Sequence, residues 1–370
     1  MRVVSVFGTR PEAIKMAPVI AALSDCPNIE SIVCSTGQHR EMLVPVLEFF
    51  DIKPSYELDV MQTGQTLNSL FARTLTRASE LFEAIKPDRV LVHGDTTTAG
   101  AAALAAFHMN IPVGHVEAGL RTGNLKEPWP EEYNRRTVDL IADQLYAPTE
   151  QARSNLLDDH LGDRKISVTG NTVVDALLMT RGILENNSRL VEKIEKGLPP
   201  LDPNKKLILI TGHRRESFGA AFEQFALALK ELATESDLDL VYPVHLNPNV
   251  QAPVRKILSD LDNVYLIPPL EYPSFVHLMN KATLIISDSG GIQEEAPSLG
   301  KLVLVTRNVT ERPEAVRAGS VELVGTDKSK IVERCLHYLR NPAHLDAISL
   351  IKNPYGDGKA AHRIIKEITQ

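Results

Sequence analysis

The sequence has few cysteines and no long apolar run. Its 370 residues include only Cys26, Cys34 and Cys335, an odd number without a C-x-x-C pair, which excludes a disulfide framework and a zinc ribbon. No apolar stretch approaches the ~18 residues that a membrane-spanning helix needs. Arg2 leads directly into an apolar segment, unlike the start of a signal peptide. We therefore expect a soluble cytoplasmic protein that does not bind membranes.

The sequence also lacks a basic excess and several known site motifs. Lys and Arg number 40 against 47 Asp and Glu, and they form no run, so binding to nucleic acid is not expected. The patterns G-x-G-x-x-G, H-x-x-x-H and G-x-S-x-G are absent, which argues against NAD, a bound metal and a serine nucleophile. We expect neither a metal nor a cofactor.

The chain is long enough for two domains, because one hydrophobic core stops growing at about 250–300 residues. Short runs of Val, Ile and Leu alternate with amphipathic stretches, as in parallel strands buried on both faces, and the alternation starts again in the second half. The predicted strands are Val3–Phe7, Ser31–Ser35, Arg89–Val92, Ile111–Val116, Gln144–Ala147 and Ile166–Val168, then Leu207–Ile210, Leu238–Pro243, Val264–Ile267, Leu284–Ser287, Leu302–Val305 and Val321–Leu323.

This order of elements predicts an α/β protein with two doubly wound domains. We expect the domains to cover residues 1–170 and 171–355, followed by a terminal helix within 356–370. The proline-containing segment from Ser188 to Lys206 is interpreted as a surface linker. A ligand is expected at the carboxyl ends of the strands, in the cleft between the domains.

Three acidic residues follow predicted strands of the first half. Asp95 precedes three threonines, Glu117 stands in the segment GHVEAG, and Glu131 follows the only tryptophan in the segment PWPEE. Carboxylates gathered in one cleft raise one another's pKa, which allows proton transfer near neutral pH. A plainer alternative remains open for two of these acids. Asp95 would interact favourably with the dipole of a helix that one threonine caps, and Glu117 would be an ion-paired structural acid.

Basic residues follow the first predicted strand of each half. Arg10 and Lys15 stand after Gly8 at the start of a helix, where an anionic group would be held, and a turn with solvated charges is the alternative. His213 is followed by two arginines, which favours an anion site over a purely structural histidine.

A Ser-Gly-Gly turn follows another strand of the second half. The backbone N–H groups of Ser289, Gly290 and Gly291 can cradle a phosphate at the start of a helix. Glu295 comes about one turn later, at a position suited to sugar hydroxyls, and Arg312 follows the next strand. The segment predicts a pocket for ribose and phosphate, and an ordinary glycine-rich turn is the alternative.

Together the motifs closely resemble those of the non-hydrolysing bacterial UDP-N-acetylglucosamine 2-epimerases. The resemblance implies a GT-B fold of two Rossmann-like domains, with the active site in the interdomain cleft, the nucleotide held mostly by the second domain and the last helix packed on the first. The matching segments run in order along nearly the whole chain and are GTRPEAIKMAPV, QHREML, VHGDTTT, GHVEAGLRTG, PWPEE, TGNTVVDAL, TGHRRESFG, YPVHLNP, SDSGGIQEEAPSLGK and TERPEA.

The implied reaction interconverts UDP-GlcNAc and UDP-ManNAc. UDP leaves carbon 1 of the sugar as the carbon-2 proton departs, which gives 2-acetamidoglucal, and UDP then adds back with a proton on the opposite face. The resemblance also implies a homodimer and a supply of ManNAc-type sugars for surface polysaccharide synthesis. Neither cofactor nor metal is implied.

The resemblance assigns catalysis to four residues. Asp95 and Glu131 would exchange the carbon-2 proton, Glu117 would orient or share it, and the departing UDP would be stabilised by His213. The implied contacts to the nucleotide sugar are Arg10, Lys15, Leu270, Phe275, Ser289, Gly290, Gly291, Glu295 and Arg312, with Leu270 where many relatives have Gln. The implied site for a second, activating UDP-GlcNAc includes Gln38, His39, Gln65 and His245.

Three other functions are compatible with the same fold. A GT-B glycosyltransferase would share the nucleotide-sugar site, but it would need an acceptor pocket rather than this set of acids. A hydrolysing 2-epimerase would release free ManNAc and UDP. A nucleotide-sugar sensor without activity would not need to keep Asp95 and Glu131.

Overall fold

The computed structural model describes residues 1–38, 40–212 and 219–370. These residues divide into two compact units. The first unit contains Met1–Ala176 and Tyr355–Gln370, and the second contains Leu177–Pro354. Within the described ranges, no helix combines the length and the apolarity that crossing a membrane requires.

The first unit extends beyond residue 170, where the sequence placed its limit. The side chain of Asp175 accepts a 2.9 Å hydrogen bond from the N–H of Ala361, in the terminal segment of the same unit. This long-range bond joins the residues after 170 to the first unit, and a local sequence pattern does not reveal it.

The described part of the first unit contains a parallel sheet of seven strands in the order β3-β2-β1-β4-β5-β6-β7. All but β3 correspond to predicted strands, and β3 has two residues, too few to show a periodicity. The strands are β1 (Arg2–Phe7), β2 (Glu30–Ser35), β3 (Tyr56–Glu57), β4 (Arg89–His93), β5 (Val113–Val116), β6 (Gln144–Ala147) and β7 (Lys165–Val168).

The described part of the second unit contains a parallel sheet of six strands in the order β10-β9-β8-β11-β12-β13. Each corresponds to a predicted strand. They are β8 (Lys206–Thr211), β9 (Leu238–Pro243), β10 (Val264–Ile267), β11 (Leu284–Ser287), β12 (Val303–Val305) and β13 (Val321–Leu323).

Helices connect most of the strands in both units. In the first unit and at its border they are α1 (Arg10–Ser24), α2 (Arg40–Phe49), α3 (Leu67–Ile85), α4 (Thr97–His108), α5 (Glu131–Ile141), α6 (Glu150–Asp158), α7 (Thr172–Glu185) and α16 (Ala360–Thr369). The others are α8 (Ser188–Gly197), α9 (Ala220–Leu232), α10 (Pro248–Leu258), α11 (Tyr272–Lys281), α12 (Gly290–Glu295), α13 (Pro313–Ala318), α14 (Lys328–Arg340) and α15 (Pro342–Ser349).

The strand order places a switch point in each sheet. In the first sheet the strands after β1 are added toward one edge and the strands after β4 toward the other edge. In the second sheet β8 and β11 are the corresponding pair of adjacent strands. In such sheets ligands bind outside the carboxyl ends of the strands at the switch point. The loops after β1 and β4, and after β8 and β11, are therefore the expected binding loops.

The interpretation of residues 188–206 as a linker is wrong. The limit between the units falls inside α7, and Ser188–Gly197 forms α8 of the second unit. The Asn187 side chain caps α8 by accepting a 3.0 Å hydrogen bond from the Leu190 N–H, and Ile194 is buried. The prolines that suggested a linker lie after the end of this helix.

Candidate functional site

The turn after β1 is organised by a buried glutamate, Glu12. One of its carboxylate oxygens accepts hydrogen bonds from the N–H groups of Gly8 (3.0 Å) and Thr9 (2.8 Å), and the other accepts one from the Thr96 hydroxyl. Burial raises the pKa of Glu12, and these donors act against that rise. Because Thr96 follows β4, Glu12 joins the two loops at the switch point of the first sheet.

Two predicted binding residues lie on α1, which begins in this turn. Arg10 is the first residue of α1 and is partly exposed. Lys15 lies further along the helix, and its ammonium group forms an ion pair with Glu117. The first helix therefore brings a cation to the turn after β5.

Glu117 has a left-handed backbone, with φ of 70°, directly after β5. One carboxylate oxygen pairs with Lys15 and also accepts a 2.9 Å hydrogen bond from the side-chain amide of Asn171. A Cβ atom placed on Gly94 would lie 3.7 Å from the other oxygen. The turns that carry Glu117 and Asp95 are therefore neighbours, as their positions after adjacent strands predict.

Asp95 lies in the turn between β4 and α4. Its carboxylate forms an ion pair with Arg135 of α5, and the side chain of Asn134 donates a 2.9 Å hydrogen bond to its backbone carbonyl. Thr96 caps α4 by accepting a 3.0 Å hydrogen bond from the Ala99 N–H. The helix cap and the ion-paired acid are thus both present in this motif.

Glu131 is the first residue of α5. It stands one helical turn before Arg135, so the two residues share a face of the helix. The neighbouring Glu132 is fully buried, accepts a 3.1 Å hydrogen bond from the Thr122 N–H and lies 3.5 Å from the Arg135 guanidinium. Glu131 therefore lies one helical turn before the cation that pairs with Asp95.

A neutral histidine lies behind these acids. His93 is the last residue of β4, is buried, and has its Nε2 3.9 Å from Glu117. Burial lowers the pKa of His93 to about 3, with a further contribution from the positive charge of Lys15 and against the attraction of Glu117. The imidazole is therefore uncharged near neutral pH.

In the second unit, the turn after β11 is shaped by a glycine. A Cβ on Gly290 would lie 2.6 Å from Cζ of Arg312, so the guanidinium can lie against the turn only because residue 290 is glycine. Arg312 donates a 2.8 Å hydrogen bond to Glu294. Ser289 precedes α12, and a Cβ on Gly291 would meet only ordinary contacts, 3.7 Å from Glu295.

The remaining predicted binding residues of this unit lie on or next to two helices. Glu295 is buried at the end of α12 and accepts a 2.7 Å hydrogen bond from the Tyr272 hydroxyl. Leu270 lies in the loop between β10 and α11, and Phe275 lies in the first turns of α11. Ser289, Gly290, Glu295 and Arg312 are thus gathered around the β11–α12 turn.

The comparison with known families identifies the chain. The sequence model of the family described as UDP-N-acetylglucosamine 2-epimerase matches residues 21–369. The chain belongs to the UDP-N-acetylglucosamine 2-epimerase family. It is 55% identical to the UDP-N-acetylglucosamine 2-epimerase of Escherichia coli (strain K12) over 369 residues, which cover 100% of this chain and 98% of that protein.

Solved epimerase structures agree with this assignment. The crystal structure of the Neisseria meningitidis UDP-GlcNAc 2-epimerase bound to UDP-GlcNAc matches with a TM-score of 0.93 and 49% identity, over 100% of both chains. The Methanocaldococcus jannaschii UDP-GlcNAc 2-epimerase in complex with UDP-GlcNAc and UDP matches with a TM-score of 0.83 and 32% identity, over 100% of this chain and 99% of that one. The resemblance drawn from the motifs is confirmed, and the fold is the two-domain GT-B fold.

The residues that the epimerase resemblance assigned to an activator site lie in both units. Gln38 accepts a 2.9 Å hydrogen bond from the Thr98 hydroxyl, and Gln65 accepts one of 2.8 Å from Arg73. His245 belongs to the second unit and accepts a 3.1 Å hydrogen bond from the Asn247 N–H. His39 and the proposed catalytic His213 lie outside the described residues.

Two polar partners of the acids were missed by the sequence reasoning. Arg135 follows Glu131 by four residues, a spacing that could have placed it on the catalytic face of a helix. Asn171 is part of the TGNTVVDAL segment that helped to identify the family, but no local pattern directs it to Glu117. Its contact depends on the meeting of the turns after β5 and β7.

Proposed function

We propose that this chain interconverts UDP-GlcNAc and UDP-ManNAc without net hydrolysis. Membership in the 2-epimerase family supports the activity, and the Neisseria meningitidis relative, whose structure holds UDP-GlcNAc, supports the substrate. The proposal rests on two ion pairs at the carboxyl end of the first sheet, Glu117 with Lys15 and Asp95 with Arg135, and on Glu131 standing one helical turn before Arg135.

The reaction proceeds by elimination and re-addition. The bond between carbon 1 and the UDP oxygen breaks with its electron pair going to UDP, a carboxylate takes the carbon-2 proton, and a double bond forms between the two carbons. The resulting 2-acetamidoglucal then accepts a proton at carbon 2 on the opposite face while UDP adds back to carbon 1. These two steps require an acidic side chain on each side of the sugar ring.

We assign the proton transfers to Asp95 and Glu131. The Arg135 guanidinium forms an ion pair with Asp95, and Glu131 stands one helical turn before Arg135 on α5. Glu117 orients or shares the proton from its position beside Lys15. Because interacting carboxylates titrate as a group, the pH–rate profile reports the group rather than a single residue.

Binding of the nucleotide is assigned to both units. In the second unit, backbone N–H groups of the β11–α12 turn and the Arg312 guanidinium suit a pyrophosphate, and the buried Glu295 suits ribose hydroxyls. The departing UDP is stabilised by His213. The full proposed set of binding residues is Arg10, Lys15, Leu270, Phe275, Ser289, Gly290, Gly291, Glu295 and Arg312.

Three further properties belong to the same proposal. The enzyme is a homodimer, and it supplies ManNAc-type sugars for surface polysaccharide synthesis. A second UDP-GlcNAc activates it through Gln38, His39, Gln65 and His245. Such activation would appear as a sigmoidal dependence of the rate on UDP-GlcNAc, and as restoration of the reverse reaction when a little UDP-GlcNAc is added to UDP-ManNAc.

The test is proton NMR of the purified protein with UDP-GlcNAc in deuterated water. The expected result is formation of UDP-ManNAc with deuterium at carbon 2 of both epimers, because each turnover exchanges that proton with solvent. The same reaction started from UDP-ManNAc, with and without a trace of UDP-GlcNAc, provides the matched arm for activation.

Other outcomes would replace the proposal. Free ManNAc together with UDP would indicate the hydrolysing reaction. An unchanged spectrum, with UDP-GlcNAc binding still detected by calorimetry, would indicate a glycosyltransferase that lacks its acceptor or a nucleotide-sugar sensor.

A further inference from the structure

His115 and Asp139 form a fully buried pair beneath the proposed acids. His115 belongs to β5 and Asp139 to α5, and neither side chain is exposed to solvent. The Nδ1 atom of His115 lies 2.6 Å from Asp139 Oδ1, and its Nε2 lies 2.8 Å from the backbone carbonyl oxygen of Gly94. The pair therefore touches no substrate, and the mechanism above leaves it without a role.

Both ring nitrogens of His115 face oxygen acceptors. Gly94 offers a carbonyl oxygen, which can only accept. Asp139 also accepts a 3.2 Å hydrogen bond from the Gly119 N–H and lies 2.7 Å from the Arg121 guanidinium. The imidazole ring of His115 is therefore held at both of its nitrogens.

These bonds reach each of the acid-bearing segments. Gly94 directly precedes Asp95, so the bond from His115 fixes the start of that turn. Gly119 follows Glu117 in the turn after β5, and its N–H is fixed by Asp139. Asp139 itself lies two turns after Glu131 on the same helix. One buried pair thus connects the three segments that carry the acids.

We propose that His115 and Asp139 are positioning residues of the epimerase reaction, which hold the Asp95, Glu117 and Glu131 segments in one fixed arrangement. The inference rests on the proposed function, because it assigns the pair to the alignment of those acids. Misplacement of a reacting group by about 1 Å can reduce the rate about a hundredfold, so loss of this alignment acts on turnover.

The experiment replaces each partner by a residue of similar shape. Asp139→Asn removes the charge of the acceptor. His115→Gln keeps a donor at the position of Nε2, near Gly94, whereas His115→Asn keeps one near Asp139. The matched control is Asp143→Ala, which removes a 2.9 Å hydrogen bond to the Val113 N–H at the opposite end of β5.

For each variant, kcat, KM, UDP affinity and the thermal midpoint are measured. We expect kcat about a hundredfold lower in Asp139→Asn and His115→Asn, about tenfold lower in His115→Gln, and KM and UDP affinity within about threefold of the parent. The partial rescue by Gln follows from its retained bond to Gly94. Asp143→Ala should lower the midpoint while kcat stays at the parent value.

Hydrogen exchange measured by mass spectrometry gives a readout that does not depend on activity. Faster exchange should be confined to the segments around residues 94–98 and 117–121 in the His115 and Asp139 variants. It also identifies any variant that has not folded, in which case the remaining isosteric variants decide the question.

The inference is overturned if folded variants lose thermal stability while kcat remains within about twofold of the parent, because the pair would then support only the fold. Failure of the proposed function is a separate result, since the unsubstituted protein would then fail to exchange the carbon-2 proton in the same assay.

Discussion

Glu117 holds its carboxylate in place against two unfavourable contributions. Its left-handed backbone costs about 1–2 kcal/mol for a residue with a Cβ, and its side chain is 9% exposed. Lys15 and Asn171 compensate by pairing with the same carboxylate oxygen. Strained and fully partnered groups of this kind are found where a side chain must point in one direction, as an acid next to a reacting carbon must.

At the residue scale, His93 predicts a dependence of stability on pH. Burial lowers the pKa of His93 from 6.5 to about 3, so below pH 6.5 the unfolded chain binds a proton that the folded chain does not. The stabilisation that the neutral His93 contributes to the fold is fully present above pH 6.5 and is lost as the pH falls toward 3. When the pH falls from 7 to 5, proton uptake by His93 in the unfolded chain lowers the free energy of unfolding by about 2 kcal/mol.

His93→Gln should remove this part of the pH dependence. Urea denaturation followed by circular dichroism at pH 7, 6 and 5 measures the slope. The control is His108→Gln, since His108 is an exposed histidine of the same unit and its replacement should leave the slope as in the parent. An equal slope in His93→Gln and the parent would contradict the prediction.

A second residue-scale prediction concerns Asp95. Asp95→Asn keeps the size of the side chain but removes the proton-transfer group, so turnover should fall by at least about a hundredfold while UDP affinity changes little. Deuterium incorporation at carbon 2 and calorimetry with UDP measure the two effects. Asp51→Asn, at an exposed acid with a similar left-handed backbone to Glu117, should leave both unchanged. Loss of UDP affinity in Asp95→Asn would contradict the assigned role.

At the scale of elements, α5 organises the first unit's site along one stripe. Glu131, Arg135 and Asp139 follow one another at intervals of four residues, so they share one face of the helix. One end of that stripe carries a proposed acid, its middle pairs with Asp95, and its buried end pairs with His115. A single helix therefore carries a proposed acid, the cation that pairs with Asp95 and the carboxylate that pairs with His115.

The β11–α12 turn of the second unit allows a paired test. In Gly290→Ala the new Cβ would lie 2.6 Å from Cζ of Arg312, so the guanidinium must move and its hydrogen bond to Glu294 weakens. We expect the Kd for UDP to rise about tenfold, the effect of losing one hydrogen bond to a charged group. Gly291→Ala keeps its N–H and makes only a 3.7 Å contact with Glu295, so its Kd should change less than about twofold. Equal values from calorimetry would contradict this difference.

At the scale of the whole molecule, the two units differ in the number of chain segments that form them. The second unit is one continuous segment, whereas the first is completed by the last residues of the chain. Helix α16 packs against α1 through a buried face, and Lys165 pairs at 3.0 Å with Glu367 on α16. The stability of the first unit therefore depends on a segment that follows the whole second unit along the chain.

Ile364→Ala tests this dependence. The side chain of Ile364 is fully buried, so its truncation should lower the free energy of unfolding of the first unit by about 2–5 kcal/mol. Lys366→Ala changes an exposed residue of the same helix and should cost less than about 0.5 kcal/mol. Urea denaturation monitored by circular dichroism compares the two. Similar small losses in both variants would show that α16 contributes little to the first unit.

Local sequence patterns predicted most of the elements. Runs of β-branched residues located twelve of the thirteen strands of the described chain. These patterns failed for β3, which is too short to show a periodicity, and for α8, because the prolines that follow it led to the interpretation as a linker. Asp95 and Glu117 were found because a residue after a buried strand is recognisable from the sequence without knowledge of any partner, whereas Glu131 was found from the segment PWPEE.

The two series of strands and helices, the family, Asp95 and Glu117 after strands, and Glu131 beside the tryptophan are all recognisable in the sequence alone. Strand periodicity and motif order depend only on the order of residues along the chain, so they can be recognised without the structure. Only the tertiary structure decided that Lys15 pairs with Glu117, 102 residues away, and that His115 and Asp139 meet beneath the site. Such contacts depend on which strands lie side by side and which turns converge, and the free energy that holds them comes from burial and pairing across the fold.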